Sequence, residues 1–347
     1  MTASLMPTAA VRDSAFRTSE ILSALSCALD ITEGQPPGHA VRTCLIGMRI
    51  AERVGVPAAE RGSLFYALLL KDLGCSSNAA RLCSVFGADD RALKRDYKLT
   101  DWSRRGPSLA YALKHAVPDA SPMGRVLRVA SMAFKDKGSG REMMQTRCDR
   151  GADIASMLGF SEATREAIRT IDEHWDGHGL PEGLAGGAIP HLGRIVGLAQ
   201  TIEVFASTFG VEAALAVADE RRGRWFDPVL VDALKSVAKD DEFWSQVLGR
   251  SPERHLAALE PEDQIQLADD ERLDSIAHAF ARIIDAKSPF TYLHSERVAE
   301  LAVTIGRRLH FGAVELRDLR RAGLLHDIGK LGVSTAILDK PDRLTER

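Results

Sequence analysis

The chain has 347 residues, with 45 Lys+Arg against 48 Asp+Glu and a formal charge of −3; that near balance excludes a generally basic nucleic-acid binder and a polyacidic tail protein. Hydrophobic residues make up 45% and charged residues 27%, which excludes a disordered chain, and no run approaches the ~18 uninterrupted apolar residues of a membrane span. The N-terminus lacks a basic region followed by an apolar core, and the cysteines Cys27, Cys44, Cys75, Cys83 and Cys148 include no C-x-x-C pair, so a reduced, cytoplasmic compartment is expected rather than a disulfide scaffold.

Residues 1–18, rich in Ala, Ser and Thr, read as a flexible arm. Ile21, Leu22, Leu25 and Leu29 give a helix over 19–30 that ends before Gly34-Gln35-Pro36-Pro37-Gly38. A second apolar stripe starts at His39 and stops at Gly55-Val56-Pro57, and a third helix covers 60–72. Arg91, Lys94, Arg95, Lys98, Arg104 and Arg105 form a modest basic run, read as a solvated helix face. Residues 173–190 are dense in glycine and read as a loop leading into a helix over 194–205, with His174 and His178 as solvated or hydrogen-bonded side chains. The stretch 251–274 carries eight acidic residues with Pro252 and Pro261 and reads as an acidic linker, with a short solvated helix at its end as the equal alternative. No alternating segments bounded by hairpin turns occur, so the expected class is all-α.

The chain repeats itself. A shift of 255 residues aligns 24–75 with 279–330 without gaps and gives 14 identities in 52 positions. The identities include polar positions: Asp30 with Asp285, His39 with His294, Arg42 with Arg297, Glu60 with Glu315, and Asp72 with Asp327. A shared apolar pattern alone could arise by chance in two helical segments; shared polar positions in one register point to a duplication. At the turn after the third helix the copies diverge. The second reads His326-Asp327-Ile328-Gly329-Lys330, the first Lys71-Asp72-Leu73-Gly74-Cys75.

In the second copy His294 opens a helix, and His326-Asp327 ends the next one. Two imidazoles and a carboxylate able to bridge two cations suit a divalent pair of Fe, Mn, Ni or Zn better than Ca. Such a pair supplies the chemistry of phosphoester hydrolysis, with Asp327 and Lys330 as the catalytic candidates and the Lys330 ammonium as a point charge for substrate phosphate.

The segment from Asp285-Ala-Lys-Ser-Pro-Phe through His294, and then Leu324-Leu-His-Asp-Ile-Gly-Lys through Pro341, closely resembles the front half of HD-GYP domains, a branch of the HD phosphohydrolase superfamily associated with cyclic di-GMP hydrolysis. The resemblance implies an HD-type helical bundle, metal ligation by His294, His326 and Asp327, and substrate contact by Lys330. Phe290 stands where three-metal members carry a carboxylate, so a two-metal site is expected. Residues 173–190 with the following helix, and Trp225-Phe226-Asp227-Pro228, resemble the back half of the same domain. There the paired histidine ligands correspond to Ile171 and Asp172, the signature tyrosine to Leu180, a ligand aspartate to Gln200, and a further carboxylate position to Glu203.

With Lys71 in place of His326, residues 19–250 are expected to form a degenerate copy in which His39, Lys71, Asp72, Cys75, Asp172 and Gln200 no longer bind metal, and no cofactor is expected there. Residues 275–347 are then the front half of a second domain, a tandem duplication with the second copy incomplete. The chain is accordingly expected to be a fragment or truncated product, inactive or weak by itself. The expected function is a metal-dependent phosphohydrolase acting on a cyclic dinucleotide or another phosphoester. The competing reading is a non-catalytic scaffold that senses a nucleotide or recruits a partner. A homodimer or other signalling domains are the macromolecular partners implied, without membrane or nucleic acid.

Overall fold

Apolar residues at three- and four-residue spacing run through most of the chain, and the computed structural model turns these runs into helices. It describes residues 16–118, 120–135, 138–262 and 265–343. In chain order the helices are α1 (Thr18–Thr32), α2 (His39–Arg53), α3 (Ala58–Leu70), α4 (Ala79–Phe86), α5 (Asp90–Leu99), α6 (Arg105–His115), α7 (Pro122–Lys135), α8 (Ser139–Met157) and α9 (Glu162–Arg169). They continue with α10 (His191–Phe209), α11 (Val211–Glu220), α12 (Pro228–Val237), α13 (Asp241–Val247), α14 (Asp270–Asp285), α15 (His294–Arg308), α16 (Ala313–Leu325) and α17 (Thr335–Leu338). The described residues contain no strand, only isolated bridges, as the all-α reading requires. No described helix is long and apolar enough to cross a membrane.

The duplication is visible in the helices themselves. The same 255-residue shift carries both ends of α2 onto α15 and both ends of α3 onto α16. Each copy starts its second helix in one way. Asp30, at the end of α1, accepts hydrogen bonds from the N–H of Gly38 (2.8 Å) and Ala40 (3.0 Å). Asp285, at the end of α14, accepts from the N–H (3.1 Å) and hydroxyl (2.7 Å) of Ser295. In both, a carboxylate from the preceding helix satisfies free amides at a helix start and complements its dipole. The residue before the helix is left-handed in both, Gly38 at φ 85° and Leu293 at φ 56°. Glycine takes that conformation freely, whereas leucine there is strained. Together these features place His39 and His294 at equivalent helix N-termini.

The two copies share one core. Ile276, Phe280, Ile283, Ile284 and Leu331 belong to the same buried cluster as Leu22, Ile50, Leu69 and Ile202. The contacts are reciprocal: α1 packs against the 3-10 turn Ile328–Gly332 of the second copy, α14 packs against the turn Cys75–Asn78 of the first, and α4 meets α17. What differs is cover. α10 and α12 lie on α2, so Ile46 and Ile50 are fully buried, whereas their counterparts Leu301 and Ile305 on α15 are 64% and 60% exposed.

The arm expected over 1–18 lies, up to residue 15, outside the described residues; Arg17 bridges to Leu267, and Thr18 is buried. The acidic stretch 251–274 is not a free spacer. Buried Glu260 accepts hydrogen bonds from Ser19 (2.7 Å) and Tyr66 (2.8 Å), Asp269 caps α14, and Asp274 pairs with Arg321 of α16 at 2.6 Å. Glu260, Asp269 and Asp274 serve packing, capping and ion pairing, which composition cannot distinguish from solvation. The basic run is corrected in part: α5 turns Lys94 and Lys98 inward, with side chains 6% and 7% exposed, whereas Arg95 and Arg104 face solvent.

Candidate metal centre

In the second copy α15 supplies His294 from its first position, and the end of α16 supplies His326 and Asp327. His294 Nε2 lies 3.3 Å and His326 Nε2 3.1 Å from the same oxygen, Asp327 Oδ2, and the Lys330 ammonium donates to that oxygen at 2.5 Å. All four residues named from the sequence therefore converge. Gly323 on α16 lets the two helices approach, because a Cβ there would meet Ala299 Cα of α15 at 2.7 Å. The Nδ1 of His326 lies 2.8 Å from the Gly323 carbonyl. An N–H at Nδ1 donating to that carbonyl leaves Nε2 as the lone-pair nitrogen facing Asp327, the orientation a metal-ligating histidine needs. Burial works to raise the Asp327 pKa, but the Lys330 hydrogen bond and charge, with the two imidazoles, hold it below the usual carboxylate value. The two histidines and Asp327 offer N and O donors within 4.8 Å of one another. A divalent cation fits this set once Lys330 yields the shared oxygen: the donors are borderline-hard, and solvent reaches them. Phe290, where a third metal's carboxylate was sought, is 82% exposed.

The equivalent positions of the first copy also converge, but on different chemistry. His39 and Lys71 are fully buried and Asp72 is 2% exposed. The Lys71 ammonium donates to Asp72 Oδ2, which lies 3.8 Å from His39 Nε2. Lys98 bridges Asp72 Oδ1 (3.2 Å) and Glu33 Oε2 (3.1 Å). Arg147 of α8 reaches Cys75 Sγ (3.1 Å), Asp172 (2.6 Å) and Asp72 (4.0 Å). Glu203 of α10 holds the other side of His39 and accepts from Arg42 (2.6 Å) and Ser207 (2.7 Å). Gln200, one turn before Glu203, shares none of these contacts; its carbonyl is buried without a partner.

Charge settles the character of this second cluster. Burial would raise the carboxyl pKa values, yet Lys98 and Lys94 bring Glu33 to about 2. Lys71, Lys98, His39 and Arg147 likewise hold Asp72 well below its ordinary value against burial. Burial pushes the Cys75 thiol well up, with Arg147 opposing, so a thiolate is disfavoured. Glu33, Asp72 and Cys75 lie close enough to hold an ion, but their donor atoms are engaged by Lys71, Lys98 and Arg147. Protein cations stand where metal would.

Sequence reasoning missed Glu33, Lys98 and Arg147. It also left Asp30 without a role, although the Asp30/Asp285 identity was a signal for the cap. His174 does not join the cluster: it stacks on Trp225 with ring centroids 4.1 Å apart, and burial lowers its pKa to about 4 against the pull of Asp176. His178 is exposed beside Asp176 at 3.4 Å.

The chain matches the HD domain family twice, over residues 135–230 and 291–347. It is 43% identical over 336 residues to 3′3′-cGAMP-specific phosphodiesterase 3 of Vibrio cholerae serotype O1, covering 97% of this chain and 73% of that protein. Against 3′3′-cGAMP-specific phosphodiesterase 1 of the same organism it is 43% identical over 76 residues, 22% of this chain and 18% of the relative. A crystal structure of a cyclic GMP-AMP specific phosphodiesterase of V. cholerae superimposes with a TM-score of 0.72 at 41% identity, over 95% of this chain and 75% of that one.

Proposed function

Because this chain belongs to the HD-GYP family of HD-domain phosphohydrolases, we propose that its second copy carries a metal-dependent phosphodiester site for a cyclic dinucleotide. The observation that carries this reading is the convergence of His294 and His326 on the Asp327 oxygen that Lys330 also contacts. His294, His326 and Asp327 would hold divalent metal, a pair of Fe, Mn, Ni or Zn. When bound, such ions supply hydroxide at neutral pH and charge at a phosphoryl oxygen. The contact between His326 Nδ1 and the Gly323 carbonyl fixes the direction of Nε2, and Lys330 offers its ammonium to the substrate phosphate. Residues 19–250 are the non-catalytic copy, since the protein's own cations already neutralise its carboxylates.

The relatives shift the substrate. The relatives matched over 97% and 95% of this chain are named for 3′3′-cGAMP and for cyclic GMP-AMP respectively, so we rank 3′3′-cGAMP ahead of the cyclic di-GMP expected from the sequence. The test is Mn(II) or Fe(II) titration of the protein by calorimetry, followed by chromatography of linear products from 3′3′-cGAMP and cyclic di-GMP. Metal binding that disappears in His326→Ala and Asp327→Ala is expected, with a weak metal-dependent opening that is faster for 3′3′-cGAMP than for cyclic di-GMP. Metal binding or turnover indifferent to both substitutions would overturn the assignment. Equal or faster opening of cyclic di-GMP would overturn the substrate choice alone.

A further inference from the structure

An apolar cavity lies over the replaced site of the first copy, not at the metal candidates of the second. It holds about 360 Å³ and runs from Glu33 and Lys98 on its floor, between α5, α8 and α10, to the loop around His178. Its volume is in the range of small-molecule sites. Trp102, Trp175 and Trp225 all line it, with Tyr97 and Tyr111. These rings are braced: Trp102 stacks on Tyr97 with centroids 4.4 Å apart, and Trp225 is held between His174 and the Arg221 guanidinium, 4.0 Å from its centre. The wall is therefore built before any ligand arrives.

Two further observations define what would fill it. First, charge on the lining cancels. Lys94 and Lys98 share Glu33, Arg147 holds Asp172, and Arg194 holds Asp227 at 2.6 Å. Glu173 accepts from the N–H groups of Glu182 (2.7 Å), Gly183 (3.0 Å) and Leu184 (2.9 Å). The four lining cations equal the four lining carboxylates in number, and each cation is already paired, Lys98 with Asp72 as well as Glu33, so an anionic ligand would have to break a pair to gain one. Second, side-chain atoms of lining residues lack hydrogen-bond partners: Gln200 Oε1, Asn78 Oδ1, Arg194 Nε and His174 Nδ1. Gln200 and Asn78 are 7% and 9% exposed. Buried groups of this kind are costly unless something bonds them.

We propose that this cavity binds a neutral, planar heteroaromatic molecule of nucleobase to nucleoside size, without metal, through aromatic contacts and the amide edges of Gln200 and Asn78. The substitution of amide for carboxylate at Gln200 thus exchanges an ion ligand for a donor-acceptor edge that can read a heterocycle. The reading is independent of chemistry at Asp327.

Three of the four tryptophans line the cavity, so intrinsic fluorescence reports its occupation. The probes are adenosine, guanosine, adenine and xanthine, with adenosine and guanosine 5′-monophosphates for comparison, titrated into the protein in EDTA. Saturable quenching by at least one neutral probe is expected, with affinity about tenfold weaker in Gln200→Leu, the loss of one hydrogen bond. Asp327→Ala should quench as wild type. Thermal melts show whether Gln200→Leu is folded; if it is not, Asn78→Leu replaces it in the same comparison. Absence of saturable quenching by every neutral probe, a requirement for metal, tighter binding of the monophosphates than of their nucleosides, or loss of quenching in Asp327→Ala would each overturn the proposal.

Discussion

Two sites with one ancestry sit in this chain, and they have solved the problem of a carboxylate at a helix end in opposite ways. Around Asp72 the site is closed: α8 supplies Arg147, α5 supplies Lys98, α10 supplies Glu203, and the ions are compensated within the protein. Around Asp327 it is open: Asp327 and its histidines are 20–41% exposed, and among the described residues Lys330 is the lysine or arginine paired with it. A buried carboxylate must be compensated at all times, by metal or by side chains. Replacing His with Lys at position 71 puts the compensating charge on the chain, and the same Asp changes from a ligand into an anchor.

That contrast can be broken most directly by removing the two aspartates. Asp72→Ala leaves Lys71, Lys98 and Arg147 short of a buried counter-charge, so a loss of about 3–5 kcal/mol is expected. Asp327→Ala, at a solvated site, should cost no more than about 1 kcal/mol while removing metal binding. Urea midpoints and Mn(II) calorimetry on both variants check this. Equal destabilisation would erase the distinction between anchor and ligand.

Acid sharpens the contrast next. Glu203 is held at about 2 because His39, Arg42 and Ser207 outweigh burial, and Glu33 is also brought to about 2. Both folded values lie below the ordinary 4.5. Their contributions are therefore present above that value and are lost as pH falls through the folded pKa. At 1.36 kcal/mol per unit, Glu203 alone amounts to about 3 kcal/mol. Asp30, raised chiefly by burial, acts in the opposite sense. The expected net result is a fall in stability as pH drops from about 4.5 towards 2, followed by urea denaturation. A stability flat across that window would contradict the buried network.

Much of this was legible in the sequence, for a physical reason. Helix ends at His39 and His294 follow from local periodicity, and the second site is made of neighbours along the chain plus the residue that opens the preceding helix. The first site draws on Glu33, Lys98, Arg147 and Glu203, four separate segments, and no local pattern signals that they meet. Lys94 and Lys98, four residues apart, look alike whether their face meets solvent or Glu33; the tertiary packing decides. The cavity beside them was equally invisible, because Trp102, Trp175 and Trp225 are far apart in sequence and become one wall only after folding.

Smaller in effect, the paired glycines measure how tightly each site is covered. A Cβ on Gly74 would lie 1.9 Å from the Arg147 carbonyl of α8, whereas at Gly329 it meets nothing within 4 Å. Gly74→Ala should therefore push α8 outward and cost about 1–3 kcal/mol, the range for overpacking, and Gly329→Ala should be close to neutral. Thermal melts of the two variants test this. A tolerated Gly74→Ala would mean that α8 is not seated on the turn.

The smallest expected effect lies where the copies join. Lys287 is buried, donates to the Leu331 carbonyl at 2.9 Å, and faces Asp90 at a loose 3.7 Å. Burial, only partly offset by Asp90, lowers its pKa to about 8. Asp90 keeps the Thr335 N–H on Oδ1 at 2.9 Å, its Oδ2 makes no hydrogen bond even with the lysine present, and relief of the buried ammonium offsets the lost attraction. Lys287→Met then exchanges a costly buried ammonium for an apolar chain of similar length, and stability at pH 7 should change by less than about 1 kcal/mol. The titration tells the two proteins apart. A lysine whose folded pKa is depressed penalises the folded state below that value, and the penalty is relieved as pH rises from about 8 to the ordinary 10.5. Wild type should therefore gain on Lys287→Met across that interval in matched urea melts. A constant difference, or a large loss at pH 7, would place Lys287 with the tightly compensated ions around Asp72 instead.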